Sequence, residues 1–240
     1  MSIILRADVD KPYGHSNLIR KVASKVVEDY FSIPIFGSFK YLSHLIEFLE
    51  YCNAQHIPGF IYHRMCTAPN KKVKELLISG GHKVCFHAEN TRSFETFSEE
   101  LNCFKEKVKP LSVESFTKHG SGILKLGKYH YPPYEPEKYQ DWSVKTGTGF
   151  YFGNGICKNE NDLYSENGVF SNMFWMERDY RDPDFSDLQK LLNVAKKKDV
   201  VVLIHPCNFH TSKIVSEDFM LLVKLSKEQN VNWKVCLDLK

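Results

Sequence analysis

Short apolar runs alternate with amphipathic segments along this chain. The apolar, β-branched runs predict strands at 3–7, 59–63, 83–87, 112–116, 149–152, 169–175, 200–205 and 233–237. Apolar residues three or four positions apart predict helices at 16–31, 38–55, 70–78, 93–108, 184–198 and 216–229. Parallel strands need crossover connections, so this alternation favours an α/β fold with parallel strands. Seven or eight such units predict a distorted (β/α)7–8 barrel, with residues 1–240 as a single domain.

Two stretches break the alternation. Residues 120–147 and 153–168 are rich in Gly, Pro, Tyr and Asn, and we expect long loops there, over the barrel face that binds substrate. The first stretch is also rich in aromatic residues. Its aromatics are either a sugar-binding platform or ordinary loop packing, and the pattern leaves both open. They are Tyr129, Tyr131, Tyr134, Tyr139 and Trp142.

The composition is that of a globular protein, with 42% hydrophobic and 25% charged residues among 240. A net charge of +3 without a basic stripe argues against a nucleic-acid partner. No apolar run reaches the length of a membrane span, and residues 1–8 read as a strand, not a signal peptide. Seven cysteines without C-x-x-C spacing favour reduced, mostly buried thiols. We therefore expect a cytoplasmic protein.

Polar residues able to bind metal or transfer protons follow five of the predicted strands. The C-terminal ends of parallel barrel strands share one face, which is where active sites lie. Five such groups from distant parts of the chain are difficult to explain by packing alone. The five are Asp8-Val9-Asp10, His63-Arg64, His87-Ala88-Glu89, His119-Gly120 and His205-Pro206.

Each of these groups also has a plainer interpretation. Asp8 and Asp10 point the same way if the strand continues, which suits a cation, but they are equally consistent with a solvated loop. His87 and His205, taken singly, are more often hydrogen-bonded core residues than ligands. His119 stands in a glycine-rich turn that either admits a ligand or is only a turn. By contrast, His82 precedes its strand, and we expect it at the opposite face.

Three of these motifs together resemble the polysaccharide deacetylases with the NodB-homology fold. They are Asp8-Val9-Asp10, the segment Gly81-His82-Lys83-Val84-Cys85-Phe86-His87, and Leu203-Ile204-His205-Pro206. The resemblance spans most of the chain in order and spacing. It implies that Asp8 is the general base, that Asp10 and His87 bind a divalent metal, and that His205 is the general acid.

The chain departs from this family in two motifs. The second metal-binding histidine of the family falls on Thr91, and Tyr131-Pro132-Pro133-Tyr134 lacks the arginine of the family's Arg-x-Pro-Tyr motif. The chain resembles a divergent branch with Asp-Val-Asp, His-x-Glu and His-Gly motifs, in which His119 takes the place of the missing ligand. The expected ion is Zn²⁺, held by Asp10, His87 and His119. Supporting or substrate-contacting positions are Glu89, His63, Arg64 and Tyr134.

The resemblance implies a metal-dependent hydrolase that removes an N-acetyl group from an amino sugar. Because no leader segment is expected, a nucleotide- or lipid-linked precursor of a surface polysaccharide, such as O-antigen or capsule, is the expected substrate. Two alternatives stay open. Another metal-dependent barrel hydrolase, an amidohydrolase or phosphoesterase, usually has an early His-x-His pair, which this chain lacks. A degenerate sugar-binding barrel without turnover is favoured by Thr91.

Overall fold

A curled sheet of parallel strands organises the part of the chain that this computed structural model describes, which is residues 1–11, 42–120, 131–166 and 168–235. The strand order is β4-β3-β2-β1-β8-β7-β5, and neighbours along it are parallel. Two short strands stand off this path: β6 is antiparallel to β7, and β9 is parallel to β1. The strands are β1 (Ser2–Val9), β2 (Gly59–His63), β3 (Lys83–Ala88), β4 (Val113–Lys118), β5 (Phe152–Ile156), β6 (Ser165–Glu166), β7 (Val169–Trp175), β8 (Val200–Ile204) and β9 (Asn232–Trp233).

The two ends of this strand order meet just before β5. Ser115 of β4 forms a parallel bridge with Gly149, and the Phe116 N–H donates to the Gly149 carbonyl at 2.8 Å. Backbone pairing therefore continues from β4 towards β5 and closes the curled sheet into a distorted (β/α) barrel. The fold class predicted from the alternation of strands and helices is confirmed.

Helices surround the sheet, and several begin at a polar cap. Side chains of Asn70, Ser93, Asp187 and Ser212 accept backbone N–H groups of the first turn that follows them. No helix in the described ranges is long and apolar enough to cross a membrane. The helices are α1 (Ser43–Gln55), α2 (Lys71–Ser79), α3 (Phe94–Val108), α4 (Pro136–Thr146), α5 (Leu188–Ala195), α6 (Pro206–Thr211) and α7 (Lys213–Glu228).

Alternation along the strands separates two apolar clusters. Ile3, Leu5 and Ala7 of β1 join the cluster that also contains the helix side chains, whereas Ile4 joins a second cluster with Phe60 of β2 and Val201 of β8. The second cluster lies inside the barrel. Further along β1, the interior positions change from Ile4 to the buried polar residues Arg6 and Asp8. The barrel interior is therefore apolar near the strand starts and polar near the strand ends.

The segment 120–147 contains a helix that the sequence interpretation missed. α4 begins with Pro136 in its first turn and ends at Gly147, which has a φ of 62°. Trp142 stacks on Phe97 of α3 with ring centroids 4.8 Å apart, and Tyr139 is fully buried. These two aromatic residues belong to the core, so of the two interpretations left open by the sequence, packing is the one that holds for them. Their spacing of three was the available helical signal.

Smaller differences concern the ends of elements. α5 begins after Asp187 and not at Asp184, because 183–185 form a separate 3-10 turn that begins at Pro183. The predicted loop 153–168 contains most of β5 together with β6. The predicted helix at 16–31 lies outside the described residues, as does the predicted end of the last strand.

Candidate metal centre and active site

Three strand ends bring their metal-capable side chains to one point. Asp10 follows β1, His87 lies near the end of β3, and His119 follows β4. Asp10 Oδ1 is 3.2 Å from His119 Nδ1 and 3.4 Å from His87 Nε2. Among the described residues, these three form the only group whose ligand atoms all lie within 4.8 Å of one another. The residues that the sequence singled out as ligands are brought together.

The donor atoms suit a divalent cation. Asp10 Oδ1 and His119 Nδ1 are buried and have no hydrogen-bond partner, although they face each other. Two imidazoles and one carboxylate form a ligand set that zinc commonly uses in catalytic sites. Burial and the nearby Arg64 and His87 lower the pKa of His119 to about 4, so its ring is neutral and able to ligate at physiological pH. The three residues present therefore fit a cation between them.

Thr117 of β4 orients one of the imidazoles. Its Oγ1 lies 2.7 Å from His87 Nδ1, which leaves His87 Nε2 as the atom that faces Asp10. A hydrogen bond from the second ring nitrogen fixes the tautomer of a metal-binding histidine and its ring orientation. His87 and Thr117 are register partners on neighbouring strands. The sequence interpretation missed Thr117, but the alternation along β4 places it inside the barrel.

Arg6 holds the carboxylate that precedes the ligand Asp10. Its Nε donates to Asp8 Oδ1 at 2.8 Å and its Nη2 to Asp8 Oδ2 at 2.7 Å, and both side chains are buried. Asp8 Oδ2 is also 3.6 Å from His87 Nε2, so Asp8 borders the ligand cluster. Burial would raise the pKa of Asp8, but Arg6 and then His87 outweigh it and keep the pKa below its usual value. Asp8 is therefore ionised.

The sequence interpretation also missed Arg6, which lies two residues before Asp8 and so on the same face of β1. Its Nη1 donates to the Gly153 carbonyl at 2.5 Å, and its Nη2 approaches Asn154 Oδ1 at 3.2 Å. The guanidinium is thus anchored to β5 across the barrel. Arg6 therefore bridges β1 and β5 inside the barrel. The alternating pattern Ile4, Arg6, Asp8 was the signal for it.

His205 reaches the site from the end of β8. Its Nε2 is 3.7 Å from Asp10 Oδ2, and its Nδ1 is 3.0 Å from Glu177 Oε1. Glu177 Oε1 also accepts from the His205 N–H and from Asn208 Nδ2. Burial would lower the pKa of His205, but Glu177 and then Asp10 raise it to about 9. Glu177 follows β7, and no spacing motif in the sequence pointed to it.

Arg64 and Glu89 support the cluster from the ends of β2 and β3. Arg64 Nε donates to Glu89 Oε1 at 2.5 Å, and Arg64 Nη1 donates to the Asp10 carbonyl at 2.7 Å. This arginine therefore links three neighbouring strand ends. Glu89 does not belong to the three-residue ligand group. Arg64 thus contacts the backbone of Asp10 directly and Glu89 contacts Arg64, while the supporting or substrate-contacting roles expected for them stay predictions.

Tyr134 lies beside β5. A Cβ atom placed on Gly153 would lie 2.9 Å from the Tyr134 hydroxyl oxygen, so the absence of a side chain at Gly153 allows this close approach. Burial raises the pKa of Tyr134 to about 12, and its hydroxyl therefore stays protonated. This position is compatible with the predicted substrate contact.

His63 does not share the site, and the role predicted for it is corrected. Alternation along β2 turns His63 away from the barrel interior, where its ring packs on Phe104 of α3 at a centroid distance of 6.5 Å. Its Nδ1 is 2.7 Å from the Thr67 carbonyl. His82 lies at the opposite face, as expected: its Nδ1 accepts the N–H of Gly59, which begins β2. Thr91 is fully buried next to Tyr139 and does not belong to the ligand group.

Fold comparison defines the class of the barrel. Its architecture is that of the NodB-like (β/α) barrels found in polysaccharide deacetylases. The catalytic domain of a peptidoglycan N-acetylglucosamine deacetylase from Eubacterium rectale superposes with a TM-score of 0.51 at 11% identity, over 99% of this chain and 89% of that one. A candidate glycoside hydrolase or deacetylase from Parabacteroides distasonis gives a TM-score of 0.52 at 8% identity, over 95% of this chain and 67% of that one.

These likenesses concern the fold, since the identities are low. No protein-family model matches the chain, and no curated protein matches it. The NodB-like fold implied by the three sequence motifs is therefore confirmed by structural similarity, while the roles of individual residues depend on the site geometry.

Proposed function

We propose that this protein is a metal-dependent hydrolase that removes an acetyl group from the nitrogen of an amino sugar. The observation that carries the proposal is the arrangement around the cluster of Asp10, His87 and His119. An ionised carboxylate, Asp8, lies 3.6 Å from His87 Nε2 of this cluster. An imidazole that favours its protonated form, His205, lies 3.7 Å from Asp10 Oδ2 of the same cluster. A base and an acid on either side of a Lewis-acid site are the groups that amide hydrolysis requires.

The fit of the three ligands favours Zn²⁺ as the bound cation. When bound, such an ion polarises the amide carbonyl and makes a nearby water more acidic. Arg64 and Thr117 orient the ligands through the Asp10 carbonyl and the His87 ring, respectively. The protein's own residues therefore prepare the site before the ion and the substrate arrive.

Asp8 accepts the proton of the attacking water in this proposal. Each Asp8 oxygen accepts one hydrogen bond from Arg6. Because a carboxylate oxygen has two lone pairs, each one can accept a further hydrogen bond. His205 gives the proton on Nε2 to the nitrogen of the scissile amide, because an amine is too basic to leave as an anion. Water and amide are consumed, acetate and the free amine are produced, and the two protein groups exchange one proton with solvent to reset.

An assay of acetate release tests the proposal. The zinc-loaded protein, incubated with N-acetylglucosamine oligosaccharides, is expected to release acetate and form one free amine for each acetate. Asp8→Asn and His205→Gln should each lower kcat by about a hundredfold or more, which is the usual contribution of a positioned acid or base. Acetate release that is unaffected by both substitutions contradicts the assignment of the base and the acid.

The same assay, run with different substrates, tests which carrier the sugar is linked to and distinguishes deacetylation from the alternative activities. We propose a nucleotide- or lipid-linked amino sugar as the natural substrate, which predicts a higher kcat/KM on a nucleotide-linked N-acetyl sugar than on the oligosaccharide. Phosphate release without acetate release favours the phosphoesterase alternative. Sugar binding with neither product favours a binding barrel without turnover.

A further inference from the structure

We propose that Trp175 and Tyr180 form the surface on which the ring of the amino sugar stacks, beside the general acid. This inference rests on the proposed function, because it concerns the substrate of the same site. The two rings lie against each other with centroids 5.3 Å apart, and Trp175 lies 5.8 Å from the ring of His205. The three rings form a continuous row that leads from the site to the protein surface.

The position of the acid determines where the sugar ring lies. His205 protonates the leaving nitrogen, and in an N-acetylated amino sugar that nitrogen is bonded directly to a ring carbon. The ring is therefore next to His205, while the acetyl group points to the ligand cluster. Within the described part of the chain, Trp175 is the aromatic ring that packs beside His205, and Tyr180 extends that surface outward.

Tyr180 is exposed and yet firmly placed. About half of it, 52%, is accessible to solvent. The turn that carries it is closed by the Tyr180 N–H, which donates to the Glu177 carbonyl at 3.0 Å. Glu177 is also the residue whose carboxylate holds His205. The acid and the exposed aromatic ring are thus positioned by the same residue.

A buried arginine fixes the rest of this turn. Arg181 Nε donates to the Trp175 carbonyl at 2.6 Å and Arg181 Nη2 to the Met176 carbonyl at 2.6 Å, while Asp218 Oδ2 lies 3.0 Å from Nη2. The Trp175 indole N–H donates to the Gly155 carbonyl at 3.1 Å, which sets the plane of its ring. An aromatic surface that is held in place loses little entropy when a ligand binds.

The chemistry of the pair matches a pyranose ring. Aromatic faces bind the C–H-rich face of a sugar, and the hydroxyl groups at its edge stay accessible to water and polar groups. Neither Trp175 nor Tyr180 carries a charge, so the recognised feature is the ring and not an acidic substituent. The expected ligand class is a neutral N-acetylated hexosamine ring.

Calorimetric titration with the methyl glycoside of N-acetylglucosamine tests this surface in the zinc-loaded protein. Tyr180→Ala should raise Kd, and KM in the acetate assay, by about fivefold to tenfold, the size expected for one lost aromatic contact. Tyr180→Phe should bind like the parent, because the ring face carries the contact. Tyr164→Ala is the matched control: Tyr164 is 50% exposed and precedes β6, which pairs with the starting residues of β7 at the opposite end of the barrel.

The outcomes separate this inference from the proposed function. No binding to the parent, or a Tyr180→Ala variant that keeps the parental Kd and KM, overturns the stacking surface even if acetate is released. An equal loss in Tyr164→Ala also overturns it. Binding that depends on Tyr180 in a protein that releases no acetate supports the surface and refutes the proposed reaction.

Discussion

The Arg6 guanidinium takes both oxygens of Asp8 in a buried, two-pronged ion pair, with Nε at 2.8 Å from Oδ1 and Nη2 at 2.7 Å from Oδ2. The two residues are two positions apart on one strand, so both face the barrel interior. A buried carboxylate without such a partner is costly, and here the pair lies directly beneath the candidate metal ligands. The pair therefore belongs to the stability of the barrel as well as to the site.

Removing one partner of this pair should destabilise the protein strongly. Arg6→Met leaves Asp8 buried and uncompensated, and the expected loss in free energy of unfolding is about 3–5 kcal/mol. The double variant with Asp8→Leu should recover part of that loss, because no unpaired charge remains. Urea denaturation followed by circular dichroism measures both values.

The exposed pair of Lys109 and Glu106 is the control, since its nitrogen–oxygen distance of 2.6 Å is similar but both side chains are in solvent. Lys109→Met should change the stability little. An Arg6→Met variant as stable as Lys109→Met would show that burial of the Arg6–Asp8 pair has no energetic importance.

Thr117 should control metal affinity through His87. Thr117→Val preserves the shape of the side chain but removes the oxygen that is 2.7 Å from His87 Nδ1. Loss of such an orienting hydrogen bond lowers metal affinity by about 10- to 100-fold. Competition with a chromogenic chelator measures zinc affinity without any enzymatic assay.

Thr117→Ser retains the hydroxyl group and is the matched control for this change. It should bind zinc nearly as tightly as the parent. Equal affinity in Thr117→Val and the parent would mean that the hydroxyl does not orient the ligand.

Glu177 should set the alkaline side of the pH profile. Its carboxylate helps to raise the pKa of His205 to about 9, and the protonated ring is the active acid. Activity therefore falls as the pH rises through the pKa of His205. Glu177→Gln keeps a hydrogen-bond acceptor but removes the charge, so the alkaline limb of kcat/KM should move to lower pH. Glu47→Gln is the control, because the Glu47 carboxylate is 2.5 Å from another histidine, the half-exposed His210. An equal shift of the alkaline limb in Glu47→Gln would contradict this role for Glu177.

His82 should make stability depend on pH, independently of the site. Burial lowers its pKa to about 4, compared with 6.5 in the unfolded chain. The buried ring is held by the Gly59 N–H, which donates to Nδ1, and by Asn53 Oδ1, which is 2.7 Å from Nε2. Between these two pKa values the unfolded chain binds the extra proton. The stability is therefore complete above pH 6.5 and decreases as the pH falls towards 4, by up to about 3 kcal/mol.

The measurement is urea denaturation at pH 7.5 and pH 4.5 for the parent and for His82→Gln. The variant should show a smaller difference between the two pH values. An identical difference in both proteins would assign the pH dependence to other groups, such as the buried His63, whose pKa burial also lowers to about 4.

The sequence predicted those parts of the fold that depend on periodicity. Strand and helix spacing predicted the barrel, and the position of active sites at the C-terminal ends of parallel strands predicted that Asp8, Asp10, His87, His119 and His205 lie on one face. The same reasoning failed for His63 because an end position alone does not state which face of β2 a side chain occupies. Phe60 and Tyr62 face the barrel interior. Because side chains alternate along β2, His63 faces the helices.

The hydrogen-bond partners of the site residues were more difficult to predict from the sequence. Glu177 meets His205 only because β7 and β8 are neighbours in the sheet, and strand order is not encoded in any local pattern. Arg6 was difficult to predict for a different reason, since it lies within the apolar strand β1 and not at its end, where the other site residues are found. The contact between Trp175 and Tyr180 likewise depends on the turn after β7, which no periodic pattern in the sequence predicts.

Metal analysis of purified protein tests most directly whether three separate strand ends hold one cation. The parent, loaded with zinc and passed through a desalting column, should retain about one zinc per chain, and so should His210→Ala, whose histidine lies outside the cluster. Asp10→Ala, His87→Ala and His119→Ala should each retain far less, with circular dichroism confirming that the barrel is folded. Full zinc content in all three folded variants would contradict the site.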